Sequence, residues 1–554
     1  MPGTRLRVLL VMAVAVILLP VANATLIVSE ADLWQNVIVP DREPPGDVLA
    51  SLPTATAPPG DVPTSLPTAT APPTASVERV DLRAARNEYE CAALNVHNTG
   101  TQAVYLRAHV QPVAGGLSGR PLQALGQIVL REAVHLRNIR GALVADALPP
   151  LRPGQAMTVP AGEVRQLWIE IYTGDLSPGV YDLSLRLTPV GGGTVEEVPL
   201  RLHVWDFELP KRMPVAVFNW DYGIRGRDEP MRSRYLRAMV EHGINVFHIS
   251  GSPKVVCNAE GELLEEPDFS GWDDLIALER PHARMFLFEN WQFRGRPFET
   301  SQGEEVEYLS EPWVRAFEAW LPKFVAYTKS RGLDYEDWAF YPFDEYIGPD
   351  FVALAREIKR IDPQVQIFTD KLTDAEQVRA AAPYTDIWCP YDGHFGETYA
   401  EGLEIMRESG KPIWFYFCGR DQKAFPPMER YRLMGWKTWA RDLQGCTYWN
   451  IFGGGGSLWD DFDSTHPDPG SVYTGRDGPV TSRRWEAFRQ GLEDYCYLWL
   501  LDQRLQRAAD DRPTAQRILD AAADDVLEHP DTATVEQWRR RIASAILQLG
   551  RERQ

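Results

Sequence analysis

The chain is short of cysteine, of positive charge and of long apolar runs, and each shortage excludes a class of protein. Six cysteines (Cys91, Cys257, Cys389, Cys418, Cys446 and Cys496) are scattered over 554 residues. None forms a C-x-x-C pair and no histidine cluster accompanies them, so neither a metal site nor a disulfide framework is expected. Three of the six fall in apolar strand-like runs, where cysteine serves as a small buried hydrophobe. Lysine and arginine total 57 against 77 acidic residues, giving a formal net charge of −20 and a pI of about 5.1. Such a field repels nucleic acid and anionic lipid but not a neutral polymer such as a glycan. Beyond the extreme N-terminus no stretch is long and apolar enough for a membrane span. No G-x-G-x-x-G turn follows the first α/β strand, which argues against an open dinucleotide-binding sheet, and no cofactor is implied.

The chain is rich in apolar and aromatic residues. Hydrophobic residues make up 44% and aromatics 11%, with 18 Trp. This is enough for sizeable cores and excludes wholesale disorder, and the length implies two or three domains. Tryptophans pack cores, and they also offer flat apolar faces that suit the axial C–H bonds of sugars. Residues 1–24 have the pattern of a signal peptide. Arg5 and Arg7 precede an apolar run from Val8 to Val21, and Ala22-Asn23-Ala24 supplies a small-x-small cleavage site. A secreted or extracytoplasmic protein cleaved after Ala24 is expected, an uncleaved anchor being the alternative.

Residues 25–210 predict an N-terminal β-sandwich domain. Short alternating runs recur (ECAALNVHN, AVYLRAHVQPV, VRQLWIEIYT, VYDLSLRLTPV, VEEVPLRLHVWDF), separated by turn signals at Asn98-Thr99-Gly100, Ser177-Pro178-Gly179 and Gly191-Gly192-Gly193. A Pro/Thr-rich insertion at 44–76 interrupts it. PPGDVLASLPTATAPP is followed by PPGDVPTSLPTATAPP with a period of 14, a composition with too little apolar surface to offset its ordering entropy. Residues 211–480 change rhythm. Eight apolar runs (215–223, 245–250, 284–291, 337–346, 366–371, 385–393, 412–420 and 446–454) alternate with helical patterns, among them Pro312–Gly332, Asp350–Asp362 and Pro427–Gly445. Eight β units with helical crossovers predict a (β/α)8 TIM-type barrel, and the fold class is multidomain β plus α/β. Residues 481–554 predict a C-terminal helical appendage.

A barrel of this kind places its site at the C-terminal ends of the strands. Those ends carry Asp221, His248, Glu289-Asn290-Trp291, Asp344-Glu345-Tyr346, Asp370-Lys371, Tyr391-Asp392, Arg420-Asp421 and Tyr448-Trp449-Asn450. From this rim we take Asp221, Glu289, Asn290, Trp291, Tyr346, Tyr391, Asp392, Tyr448, Trp449 and Asn450 as candidate substrate-binding residues. Each has a structural alternative, the aromatics as packing and the polar groups as helix caps. Gly453–Gly456 lacks the Lys-Ser/Thr of a phosphate loop. Glu493-Asp494 lies in a helix and is expected to brace that helix against the barrel.

Asp344-Glu345 is the candidate catalytic pair. Acidic dipeptides usually belong to solvated surface, as Asp228-Glu229 does on the same grounds, but this one follows the buried aromatic run Trp338-Ala339-Phe340-Tyr341-Pro342-Phe343. Neighbouring carboxylates push their pKa values apart, which suits one to carry a proton and the other a charge. Adjacent residues do not flank a sugar from opposite sides, as an ordinary glycosidase requires. They suit substrate assistance, in which the 2-acetamido oxygen attacks its own anomeric carbon.

NEYE (Asn87–Glu90), SPGVY (Ser177–Tyr181), VWDFELP (Val204–Pro210), FYPFDEY (Phe340–Tyr346) and GRDGPVTSRRWEAFRQGLEDYCYL (Gly475–Leu498) resemble glycoside hydrolase family 123 and the wider domain of unknown function 4091 group that contains it. The resemblance runs in order over most of the mature chain. It implies a β-sandwich plus barrel and a retaining, substrate-assisted N-acetyl-β-galactosaminidase. By motif, Asp344 matches the acetamide-orienting Asp and Glu345 the acid/base. Tyr346 stands where the family has Pro, and Gly475-Arg476-Asp477-Gly478 where it has Gly-Asp-Gly. A hydrolase of another sugar and a non-catalytic carbohydrate-binding protein remain open, as does the oligomeric state.

Overall fold

Alternating apolar residues build the N-terminal half, and continuous apolar runs build the rest. In the computed structural model the described residues are 26–34, 38–39, 76–113, 128–174, 176–220, 224, 227–251, 255–289, 298–419, 422–453, 456–463, 469–508 and 512–551. The expected signal peptide and almost all of the Pro/Thr-rich insertion lie outside them.

Among the described residues eleven strands come first: β1 Leu26–Ala31, β2 Ile38–Val39, β3 Val80–Arg86, β4 Tyr89–Asn98, β5 Val104–Pro112, β6 Ile128–Arg137, β7 Leu143–Ala147, β8 Met157–Val159, β9 Val164–Tyr172, β10 Gly179–Pro189 and β11 Glu196–Glu208. They form two sheets, β1-β4-β9-β6-β7-β2 and β3-β11-β10-β5-β8. All pairings are antiparallel except β3 with β11. Residues of both sheets meet in one apolar cluster that includes Leu94, Val96, Leu167, Ile169, Leu185 and Leu202. Strand β9 is buried at six consecutive positions. Leu167, Ile169 and Ile171 face that cluster, while Trp168 joins the core of the second half. The first sheet is thus covered on both faces, which a strand achieves by sending alternate residues each way.

The second half begins with β12 Ala216–Asn219, β13 Val246–Ser250, β14 Val255–Cys257, β15 Met285–Glu289, β16 Phe298–Thr300, β17 Trp338–Tyr341, β18 Gln366–Thr369, β19 Ile387–Trp388, β20 Tyr416–Cys418 and β21 Gly445–Trp449. Between them run α1 Met231–Glu241, α2 Asp273–Glu279, α3 Glu311–Ser330, α4 Pro349–Ile361, α5 Ala375–Ala381, α6 Ala400–Glu408 and α7 Leu433–Ala440. Eight strands form a parallel sheet in the order β19-β18-β17-β15-β13-β12-β21-β20, and β14 pairs with β16 separately. Isolated parallel bridges Trp388↔Ile413 and Tyr391↔Tyr416 link the two outermost strands, so the sheet curls until its ends meet. Seven of the eight strands lie within an apolar run, and β21 begins one residue before the eighth. The helix expected at Pro427–Gly445 is shorter. A π turn at Met428–Arg432 precedes α7, and its Arg432 is fully buried against Asp494.

A hairpin, β22 Tyr473–Gly475 and β23 Gly478–Val480, leads into α8 Arg483–Gln506, α9 Pro513–Glu528 and α10 Thr532–Arg551. Ser482 caps α8 by accepting the Trp485 amide at 3.1 Å. Helix α8 wedges between the two halves. Glu493 Oε1 accepts the Tyr89 amide at 2.9 Å and Tyr497 donates to Glu88 at 2.6 Å. Arg484 reaches Asp146 at 2.9 Å, and Asp494 receives Arg432 at 2.6 and 2.9 Å. The NEYE and GLEDYCYL segments, some 400 residues apart, are therefore two sides of one buried polar seam.

Candidate active site

Strand β17 is buried at all four positions. Trp338 and Phe340 point outward onto Phe324 of α3, at ring separations of 5.1 and 4.9 Å. Ala339 and Tyr341 point inward, into the apolar filling of the curled sheet. Three residues after Tyr341 the chain presents Asp344 and Glu345, both exposed to solvent. Glu345 has φ +46°, a left-handed conformation that costs a residue with a Cβ roughly 1–2 kcal/mol and that clusters at functional sites. Two contacts hold it there. Its amide donates to Asp370 Oδ1 at 2.9 Å, and the Tyr416 hydroxyl donates to its Oε1.

Asp344 is held from the strand beneath. Tyr341 Oη stands 2.8 Å from Asp344 Oδ1 and 2.6 Å from Asp370 Oδ2. Asp370, just past the end of β18, is 1% exposed. Burial pushes its carboxyl well above the usual range and the Asp344 charge adds to the effect. Desolvation within the rim also raises Asp344; the Tyr341 hydroxyl opposes this, and the charges of Glu345 and Glu289 reinforce it. Burial, then the neighbouring Asp370 and Glu345 carboxyls, keeps the Tyr416 phenol protonated as a donor. Half-buried Cys418 has its thiol pushed up to about 12 by burial and by the neighbouring Glu345, Asp370 and Asp344 carboxyls, so it is no thiolate nucleophile.

The other candidates divide by where their side chains go. Glu289 sits beneath the pair, its Oε2 2.6 Å from His248 Nε2, both residues buried. Tyr391 and Trp449 are half-buried against the inward cluster, the Tyr391 ring 5.6 Å from that of Tyr416. Tyr346 packs on Phe343 at 5.5 Å and over Gly348, where a Cβ would meet its hydroxyl. Three more candidates are engaged by the protein itself. The Asp392 carboxylate is taken up by Lys437 and Arg441, each at 2.6 Å, which hold its pKa below the ordinary value against the effect of burial. Tyr448 is fully buried, faces away from the sheet interior onto Phe488 at 5.0 Å and bonds Ser471. Asn450 is fully buried and closes its own turn through Gly453, at 3.1 and 2.9 Å. Asp221, Asn290 and Trp291 lie outside the described residues, as do Arg420 and Asp421.

Four residues of the cluster were not among the candidates: Tyr341, Asp370, Tyr416 and His248. Asp370 and His248 stood in the roll of strand ends. Inward alternation along β17 and β20 was the signal that could have found the two tyrosines. Among the described residues no group of three or more His, Cys, Asp or Glu is arranged to hold a metal ion.

A curled eight-stranded parallel sheet with acids and phenols gathered beyond the ends of its strands defines an α/β fold with a candidate active site. Residues 276–501 match the family model of the glycoside hydrolase 123 catalytic domain. The match spans less than half of the chain and makes this region similar to the catalytic domain of a family that hydrolyses glycosidic bonds. Its fold matches a family 123 glycoside hydrolase from Clostridium perfringens, studied for glycolipid glycan hydrolysis. The TM-score is 0.68 at 13% identity, over 95% of this chain and 99% of that one. An endo-β-1,4-mannanase from Thermotoga petrophila aligns at TM-score 0.34 and 14% identity, over 54% of this chain and 78% of that one. A GH2 β-galacturonidase from Eisenbergiella tayi aligns at 0.31 and 11%, over 73% and 68%. Both are too distant to carry an argument. No curated protein matches the chain.

Proposed function

We propose that the chain is a secreted, retaining β-N-acetylhexosaminidase that removes terminal β-linked N-acetylgalactosamine, built as a β-sandwich followed by a (β/α)8 barrel. The observation that carries this reading is the exposed Asp344-Glu345 pair, each carboxylate fixed by its own phenol. Asp344 takes the Tyr341 side through Oδ1, leaving its other oxygen for the acetamide N–H of the sugar. The acetamide oxygen then attacks the anomeric carbon as the glycosidic bond breaks, and Asp344 stabilises the positive oxazolinium-like intermediate. Glu345 gives its proton to the leaving oxygen. It then takes one from the water that opens the intermediate, which restores the starting state with retention. Tyr391 and Trp449 would offer apolar surface to the sugar ring. The fold shared with a family 123 enzyme studied for glycolipid glycan hydrolysis supports a glycan substrate, and the pattern of residues 1–24 supports export.

The test is release of p-nitrophenol from the β-N-acetylgalactosaminide, with the glucosaminide and the plain galactoside in parallel. Cleavage of the galactosaminide, with the galactoside untouched and the glucosaminide slower, is expected. Cleavage of the plain galactoside at an equal rate would exclude acetamido assistance.

A further inference from the structure

The Tyr341 hydroxyl poses a problem of proton count. It lies within hydrogen-bond distance of two carboxylates, Asp344 at 2.8 Å and Asp370 at 2.6 Å. A phenol has one hydrogen and can donate to only one of them. The second contact is attractive only if a carboxyl brings a hydrogen of its own. Of the two, Asp344 is open to solvent and Asp370 is 1% exposed, so the neutral form belongs on Asp370. The other oxygen of Asp370 accepts the amide of Glu345, the residue held at φ +46°. Asp370 thus touches the supports of both members of the pair while facing no substrate itself.

We propose that Asp370 is a positioning residue that stays protonated in the working enzyme, sharing one negative charge with Asp344 through Tyr341 and fixing the backbone of Glu345. The proposal rests on the catalytic reading of Asp344 and Glu345. Its chemistry is a proton held, not transferred: Asp370 donates to the Tyr341 oxygen, and Tyr341 donates to Asp344. Among the described residues, the titratable groups that interact with Asp370 include Tyr341, Asp344, Glu345, Cys389, Tyr416 and Cys418. None of these is a cation, and among the described residues Lys371, beside it in sequence, acts on Cys418 and His394. Burial and the Asp344 charge both favour the neutral form.

Asp370→Asn and Asp370→Ala separate the two parts of the role. The amide can donate to Tyr341, accept from Glu345 and never ionise. The alanine does neither. With whichever aryl glycoside the wild type cleaves, Asp370→Asn is expected to lower kcat by no more than about tenfold, with the alkaline limb of the rate profile unmoved. Asp370→Ala is expected to lower kcat by at least about tenfold more, with KM little changed. A downward move of that limb by about one unit or more in Asp370→Asn would show that a charge had been removed, and would overturn the neutral form. Equal kcat in the Ala and Asn variants would overturn the positioning role. Independently of activity, a protonated-carboxyl infrared band at neutral pH should be present in the wild type and lost in Asp370→Asn. Its absence from the wild-type minus Asn difference spectrum would overturn the proposal even if no glycoside is cleaved. Because the profile does not depend on the sugar, failure on the acetamido substrates alone would count against the proposed function and not against Asp370.

Discussion

Replacing Tyr416 by Phe isolates one contact at the acid/base. The hydroxyl donates to Glu345 Oε1, while the ring packs 5.5 Å from Trp220 and 5.6 Å from Tyr391. Phenylalanine keeps the ring and both contacts, so the core loses no volume beyond one oxygen. The lost interaction is a single hydrogen bond to a carboxyl that becomes charged as it gives up its proton, about 1.5–3 kcal/mol in that charged state. If that bond orients Glu345 toward the leaving oxygen, its loss appears in the transition state, and about 1.4 kcal/mol per decade makes the loss roughly 10- to 150-fold in kcat. KM should move little, because Tyr416 is not proposed to touch the sugar. The assay is initial-rate kinetics on the aryl glycoside, with a thermal melt of the same sample. A folded variant with kcat within about twofold of wild type would refute the assignment of Tyr416 to Glu345.

Two further outcomes concern the seam between the halves. Asp494→Ala strips the fully buried Arg432 of its bidentate partner and should destabilise the protein by about 3–5 kcal/mol. Urea unfolding reads this, and a cost below about 1 kcal/mol would show the seam to be weakly coupled. Glu493 is buried, has its pKa raised from 4.5 to about 8 by burial, and keeps one oxygen without a partner. The folded state therefore holds a proton that the unfolded chain has lost, and this contribution falls away as pH rises from about 4.5 through 8. Glu493→Gln, which still accepts the Tyr89 amide, should reduce the stability lost between pH 6 and pH 9 by about 1–3 kcal/mol. An unchanged slope would contradict the raised value.

Much of the fold was legible because buried parallel strands are apolar on both faces and stand out from the helical pattern between them. Each of the eight apolar runs overlaps a strand. Less legible were β6 and β7, whose polar and apolar residues mix because one sheet face meets the second half of the chain rather than water. The π turn before α7 was hidden, since Arg432 reads as a surface residue and is instead the buried partner of Asp494. The bracing role expected of Glu493-Asp494 matches their contacts with Tyr89 and Arg432. At the site, Asp344-Glu345 stood out by its aromatic flank. The rest depended on which way a side chain turns at a strand end, and sequence does not encode that locally. Asp392 turns outward because Lys437 and Arg441 of the α7 region wait there. Tyr448 alternates outward while its neighbour Trp449 alternates inward. Tyr341 and Tyr416 looked like packing because a phenol inside an apolar run shows its hydroxyl partner only in three dimensions.

The central claim is that Asp344 and Glu345 perform the hydrolysis, and the direct measurement is turnover by Asp344→Asn and Glu345→Gln. Both side chains are exposed, so both variants should fold and melt like the wild type. On an aryl β-N-acetylgalactosaminide whose leaving group needs a proton, Glu345→Gln is expected to lose about 100- to 10,000-fold in kcat. Asp344→Asn should lose a similar factor by failing to stabilise the positive intermediate. Full turnover by either folded variant would contradict the account.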